Sequence, residues 1–395
     1  GNLLKVLRFR SSGKPTLLQN KRYTKARAEL KPGRSVRAYL DLRYLRKIQR
    51  RSFFERLPGG ARLFAGPFAH VLDTATRVDA RLDVLADGIA LTGRFDGSAV
   101  AAGDRPVPVA SLLRHAAKER QLPPKPLGTM AALSLDRDLL GFFKNADRLL
   151  DEDGATGVKQ FLSTANQFLG SLDFIDGLLP ALDFPGAIFV TDTAPEAPEQ
   201  QPRVKFPAFT LAVPVAAEYE RKVKRALGRA LQTIGFVATN QRRQSKRDPV
   251  QVRVRNEKRG EYQYQYLAYG DWDGPGQPPM DLNFGVTLLF AHGHLILSST
   301  RDGAVRSAKA IKVGDGKLVR GDYLLLTGEG LAKYATKNLE VLALDRVLKE
   351  GGTLRQANQF WHGAAAVLRI LEAEINVAPG QQDTSFTVSL RRVSR

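Results

Sequence analysis

The sequence predicts an α+β fold: two tandem repeats of mainly antiparallel sheet with helices packed on one face. Three observations predict it. Residues 128–145, GTMAALSLDRDLLGFFKN, and residues 321–338, GDYLLLTGEGLAKYATKN, share a length, a strand-then-helix pattern and a closing Lys-Asn. Residues 165–168 and 357–360 both read ANQF. Upstream, LADGIALTGRFDG at 85–97 matches FAHGHLILSSTRDG at 290–303 with one residue inserted. The matches occur in the same order, and small changes in their offset are what loop insertions and deletions leave behind.

Taken in chain order, residues 1–34 form a basic N-terminal arm, residues 35–200 the first repeat and residues 201–395 the second. VRAYLDL at 36–42 alternates as a strand does, and RYLRKIQRRSFF continues from it with helical spacing. FTLAVPV at 209–215 is its expected counterpart, followed by the amphipathic stretch AAEYERKVKRALGRALQTIGF. There Tyr219, Val223, Ala226 and Leu227 recur at helical spacing, with Lys and Arg on the wet side. Each half then continues with an apolar hairpin, a short helix, the strand and Lys-Asn helix, and the ANQF helix. GAIFVTD with VKFPAFTLAV closes the first half and AEINVAP with SFTVSLRR the second; VKFPAFTLAV also overlaps the start of the second repeat. QLPPKPLG, DWDGPGQPPMD and TAPEAPEQQPRVKFP are loops, because their prolines cannot continue a helix and they lack strand alternation. The last of these, residues 193–207, is the expected boundary between repeats.

VRAYLDL, LDVLADGIALTGRFDG, GTMAALSL, FTLAVPV and LLFAHGHLILSST together resemble a bacterial domain-of-unknown-function family of exported or lipid-anchored proteins. The resemblance covers roughly residues 35–395 and implies a duplicated α+β architecture outside the cytoplasm. That family has no established reaction, so it implies no catalytic residues. The basic arm is not one of its features.

The net charge of +20 is concentrated at the N-terminus. Residues 1–51 hold sixteen Lys or Arg against Glu29 and Asp41. Such a segment attracts polyanions. Lys5, Arg8, Arg10, Lys21, Arg22, Lys25 and Arg27 are therefore candidate contacts to an acidic protein partner or larger assembly; nucleic acid and acidic polysaccharide fit the same charge. The chain has no cysteine, which excludes disulfides, thiolate metal sites and cysteine nucleophiles. This composition suits an extracytoplasmic protein, periplasmic or on the cell surface, while a cytoplasmic location stays open. Gly1 opens the chain with no leader in view, so either a leader or an initiator Met preceded it. The longest uncharged stretch, residues 282–300, breaks at His292-Gly293-His294 and reads as a hairpin rather than a transmembrane segment.

Motifs for chemistry are missing. His292 and His294 form a local pair, but alignment with Asp87 places His292 at a hairpin tip, where a polar turn residue before Gly is expected. Asp271 and Asp273 lack the further ligands a calcium loop needs. Asp151, Glu152 and Asp153 read as a solvated connection between helices. VGDGKL at 313–318 lacks phosphate-loop spacing. No cofactor or metal is expected, and no enzymatic activity.

One surface candidate remains. In QRRQSKRDPVQVRVRNEKRGEYQYQYLAY, alternation places Val250, Val252 and Val254 opposite Arg253 and Arg255, and sets Tyr262, Tyr264 and Tyr266 on one face. Standing beside the Arg row, the tyrosines would form a cationic and aromatic stacking platform; facing the valines, they would be core. Arg242, Arg243, Lys246 and Arg247 precede the hairpin as a basic loop. The leading expectation is a non-enzymatic scaffold or binding protein that docks through its arm. The alternative is a nucleic-acid or polyanion binder using the arm and residues 242–266.

Overall fold

The computed structural model describes residues 35–43, 52–53, 56–96, 119–192, 204–244, 251–270, 285–379 and 383–393. The first part of the chain contributes strands β1 (Ser35–Asp41), β2 (Arg77–Val84), β3 (Gly88–Phe95), β4 (Arg120–Gln121), β5 (Thr129–Ser134) and β6 (Ala187–Thr191). Beyond residues 193–207 come β7 (Ala208–Pro214), β8 (Gln251–Arg259), β9 (Tyr262–Gly270), β10 (Thr287–Ala291) and β11 (His294–Ser298). They are followed by β12 (Leu318–Val319), β13 (Asp322–Thr327), β14 (Leu371–Pro379) and β15 (Thr384–Arg392). The principal helices are α1 (Gly59–Thr74), α2 (Leu139–Lys144), α3 (Ala146–Leu149), α4 (Glu152–Leu169), α5 (Glu220–Gln244), α6 (Arg301–Val313), α7 (Gly328–Lys337), α8 (Leu339–Glu350) and α9 (Leu354–Leu368), with a short helical segment at Phe174–Ala181. The chain is thus α+β, as expected.

Thirteen of the strands form one sheet, in the order β1-β2-β3-β15-β14-β13-β5-β6-β7-β11-β10-β9-β8; β4 and β12 pair separately. The expected boundary at residues 193–207 does not divide the sheet. β3 pairs with β15, from Gly88↔Arg391 to Phe95↔Thr384. β5 pairs with β13 from Ser134↔Tyr323 to Ala131↔Leu326. β1 is an edge strand and β7 an interior one, held between β6 and β11, so VRAYLDL and FTLAVPV are not counterparts in the sheet.

The expectation of helices on one face is corrected. Successive residues of a strand point to opposite faces, and across β7 to β11 both sets are buried under different helices. Val213, Leu267, Leu288 and Leu295 pack with Val223, Ala226, Ala230 and Leu231 of α5. Their neighbours Ala212, Tyr266, Leu289 and Ile296 pack with Ala304, Val305 and Ala308 of α6. Each large apolar side chain so buried contributes about 1.5–3 kcal/mol. Along β10 and β11 both faces are largely covered, so seven of their ten residues are apolar, and this part of the uncharged stretch needs no membrane to explain it.

Local chemistry sets the joints. His292 (φ 51°) and Gly293 (φ 71°) form the two-residue turn between β10 and β11, with both residues in the left-handed region that suits the twist of a hairpin. Asp151 accepts a hydrogen bond from Gly154 N at 3.0 Å and caps α4, with Glu152 and Asp153 in the first turn. This acidic run is exposed at the joint between two helices, as expected, and in addition starts the second of them, where negative charge is favoured. Asn145 and Asn338 end their helices in nearly the same conformation, φ −110° and −107° with ψ 16° in both. The two ANQF segments sit differently: residues 165–168 fall in the last turn of α4, and residues 357–360 in the first turns of α9.

Candidate functional site

Helix α5 carries the densest positive charge among the described residues. Its apolar positions Val223, Ala226, Ala230 and Leu231 follow a helical stripe and are buried on the sheet. Arg221, Lys222, Lys224, Arg225 and Arg229 occupy the positions between and are exposed. Glu220 is the single acidic residue of the helix. None of these five cations has an ion-pair partner among the described residues; Arg229 donates a long hydrogen bond to Ser171 Oγ at 3.4 Å. Positive charge left unpaired along one helix raises the local concentration of anions.

A cleft of about 320 Å³ opens between this helix and the sheet. Lys224, Arg225, Arg229 and Gln232 line it from α5, Asn256 from β8, Gln263 and Gln265 from β9, and Leu288 and Phe290 from β10. The strand register accounts for the amide row: Asn256 lies opposite Gln265, and Gln265 opposite Leu288, so these side chains share one face. The cleft therefore has a cationic wall, a carboxamide wall and an apolar floor. Gly228 sits where the helix crosses Gln265; a Cβ there would come within 2.8 Å of the Gln265 Oε1 atom.

The predicted site residues are only partly brought together. Lys5, Arg8, Arg10, Lys21, Arg22, Lys25, Arg27, Lys246 and Arg247 lie outside the described residues, as do Val250, Asp271 and Asp273. Arg242 and Arg243 fall in the last turn of α5. Arg255 lies opposite Tyr266 and Arg259 opposite Tyr262, so the Tyr row does stand beside the Arg row. The stacking expectation is nevertheless corrected, because Tyr262, Tyr264 and Tyr266 are only 5%, 1% and 4% exposed and pack into the core with α6. Tyr264 Oη donates to Glu257 Oε1 at 2.7 Å, and Arg301 lies over the Tyr266 ring. Arg253 and Arg255 project from the face opposite α5, on strand β8 at the edge of the sheet. Charge on an edge strand discourages pairing with another chain, which gives both residues a structural use.

Two other charged clusters brace the scaffold. Arg137, 3% exposed at its side chain, forms a bidentate pair with Asp322 at 2.7 and 2.6 Å and donates to Leu63 O. Asp192 accepts from Arg306 at 2.9 Å and Lys337 at 2.7 Å. Burial pushes the Asp192 carboxyl up, but the hydrogen bonds and charges of Lys337 and Arg306 outweigh it and hold the group below the usual carboxylate range. His292 is exposed in its turn, and the His294 ring Nδ1 lies 2.9 Å from the His292 carbonyl. Among the described residues, no three His, Asp or Glu side chains gather as a metal site, and no helix is long and apolar enough to cross a membrane.

Comparison with protein-family models, with curated proteins and with solved structures gives no match to this chain. The site rests on its own geometry. The α5 cations were visible in the sequence as the wet side of a helix, but the carboxamide wall facing them was not. The signal that could have marked the cleft is Gly228, a helix-weakening residue in mid-helix between Arg225 and Arg229.

Proposed function

We propose that this chain is a non-enzymatic binding or scaffold protein that engages an acidic macromolecule, working outside the cytoplasm as part of a larger assembly. The observation that carries the reading is the exposed cationic face of α5, with no carboxylate partner among the described residues. The basic arm adds a second anion-attracting segment. The lack of cysteine and the resemblance to an exported family support the location. The nucleic-acid alternative is weaker, because the rings it would stack bases on are buried.

We further propose that the scaffold is a duplicated α+β unit. Aligning residues 128–145 with 321–338 places Ala132 on Leu325, and these two residues face each other across the β5–β13 pair. From that pair the first six strands each way are β5-β6-β7-β11-β10-β9 and β13-β14-β15-β3-β2-β1, and each run begins with strands from one part of the chain and ends with strands from the other. The like-ended helices at Asn145 and Asn338 support the same relation.

Binding is tested with poly-L-glutamate as a generic acidic chain. The full protein is expected to bind it with an affinity that falls steeply between 50 and 200 mM salt, about as counterion release requires. Deleting residues 1–34 should abolish the association at the higher salt and leave the body folded by circular dichroism; Arg221→Glu with Lys222→Glu should weaken what remains at lower salt. Binding unchanged by both alterations would refute the reading.

A further inference from the structure

Resting on that reading, we infer that the cleft beneath α5 recognises one anionic sugar unit of an acidic polysaccharide. The volume of about 320 Å³ lies at the small end of the range for ligand sites, roughly 300–1,000 Å³, which suits one or two sugar rings. Lys224, Arg225 and Arg229 offer charge and donors to a carboxylate, sulfate or phosphate. Gln232, Asn256, Gln263 and Gln265 each present both a donor and an acceptor. That pairing matches sugar hydroxyls, which donate and accept in turn. An acidic peptide offers one backbone N–H donor per residue and acceptor-only side chains, so it matches a row of groups that each donate and accept less fully than a ring of hydroxyls does, a difference that separates one polyanion from another. Leu288 and Phe290 supply an apolar floor for the C–H face of a ring.

Gly228 adds an independent observation. Glycine in mid-helix costs about 0.5–1 kcal/mol relative to alanine, yet here it lets α5 lie against Gln265. Alanine would place its Cβ 2.8 Å from the Gln265 Oε1 atom and push that amide out of line. The helix thus carries a local weakness at the point where the cleft needs room.

The test compares polygalacturonate, an anionic sugar polymer, with poly-L-glutamate of matched charge density, by calorimetry on the full chain at fixed salt. Polygalacturonate is expected to bind at least tenfold more tightly. The charge-neutral double variant Gln263→Ala with Gln265→Ala should remove that difference and leave poly-L-glutamate binding unchanged, with the thermal midpoint monitored to show that the variant is folded. Gly228→Ala should also weaken polygalacturonate binding while holding or raising the thermal midpoint. Free galacturonic acid should displace the polymer only at millimolar concentration; a monomer that binds as tightly as the polymer would assign the cleft to a free sugar acid instead. Equal affinity for the two polymers, or indifference to the glutamine changes, overturns the cleft assignment and leaves the polyanion reading standing. Failure to bind either polymer overturns both.

Discussion

Asp192 shows how one carboxylate ties distant parts of the chain together. It follows directly on β6, and its partners come from α6 and α7, so it ties three elements together from a site whose side chain is only 10% exposed. Removing the carboxylate leaves Lys337 without it and Arg306 with Asp302 as its remaining carboxylate, and breaking a buried charged group costs about 3–5 kcal/mol. Asp192→Ala should therefore destabilise the protein by about 3 kcal/mol at pH 7, the lower end of that range because Lys337 can turn toward water. The pH dependence has a definite sign. A carboxyl whose folded-state pKa is depressed contributes stability that is present above the unfolded value of about 3.9 and is lost as pH falls through the folded value. Urea unfolding of wild type and variant should differ at neutral pH and converge as pH falls below about 3.9; a constant gap would show that Asp192 acts through packing alone. Tyr264 is a different lesson at this scale. Its alternation with Gln263 and Gln265 was plain in the sequence, but which row met solvent was settled by α6, some forty residues later in the chain.

Among the elements, those with strong local periodicity were legible. The buried stripe of α5, the His292-Gly293 hairpin and the Tyr and Arg rows of β8 and β9 all follow from spacing along a few turns or pleats. The expectation of helices on one face failed because two apolar rows on adjacent strands look alike, whether they share one buried side or occupy two. Val254 faces Leu267 on the α5 side while Arg255 faces Tyr266 on the α6 side. The cleft was illegible for the same reason: its strands could be read, but spacing along them does not say that α5 lies over the Asn256, Gln263 and Gln265 side. β8 offers a test at this scale. It closes one end of the sheet, and exposed Arg253 and Arg255 alternate there with Val252 and Val254. Replacing both arginines with valine would create an apolar edge of high strand propensity. The double variant should self-associate, seen as a rise in light-scattering mass with concentration, while the wild type holds its mass. If mass stays constant, the arginines serve something other than edge protection.

At the scale of the whole molecule, the order of strands makes a stronger statement than the order of elements along the chain. Residues before 193–207 supply the block β1-β2-β3 and the pair β5-β6, but the sheet places β15, β14 and β13 between them. The later residues likewise supply β7 to β11 on one side of β5-β6 and β13 to β15 on the other. Neither part of the chain can make a continuous sheet alone; each would leave open edges on two separated blocks, and unpaired backbone groups at a buried edge cost too much to persist. The Arg137–Asp322 pair and the Asp192–Lys337 contact cross the same division. Residues 35–200 and 201–395, produced separately, should therefore fail to fold as independent bodies, with dispersed amide spectra appearing only when both are mixed or co-expressed. The intact chain should unfold in one cooperative step, with the same midpoint by fluorescence and by circular dichroism. A first segment that folds and unfolds cooperatively by itself would mean that its strands can close on each other without β13 to β15, and the interleaved order would then not be what holds the two parts together. The interleaving also bears on function, since α5 and the cleft lie on the block formed by β7 to β11, which is anchored through β6 to residues from the other part of the chain. A cut within residues 193–207 of the folded protein should thus leave the cleft in place, because the sheet, and not the covalent link, positions it.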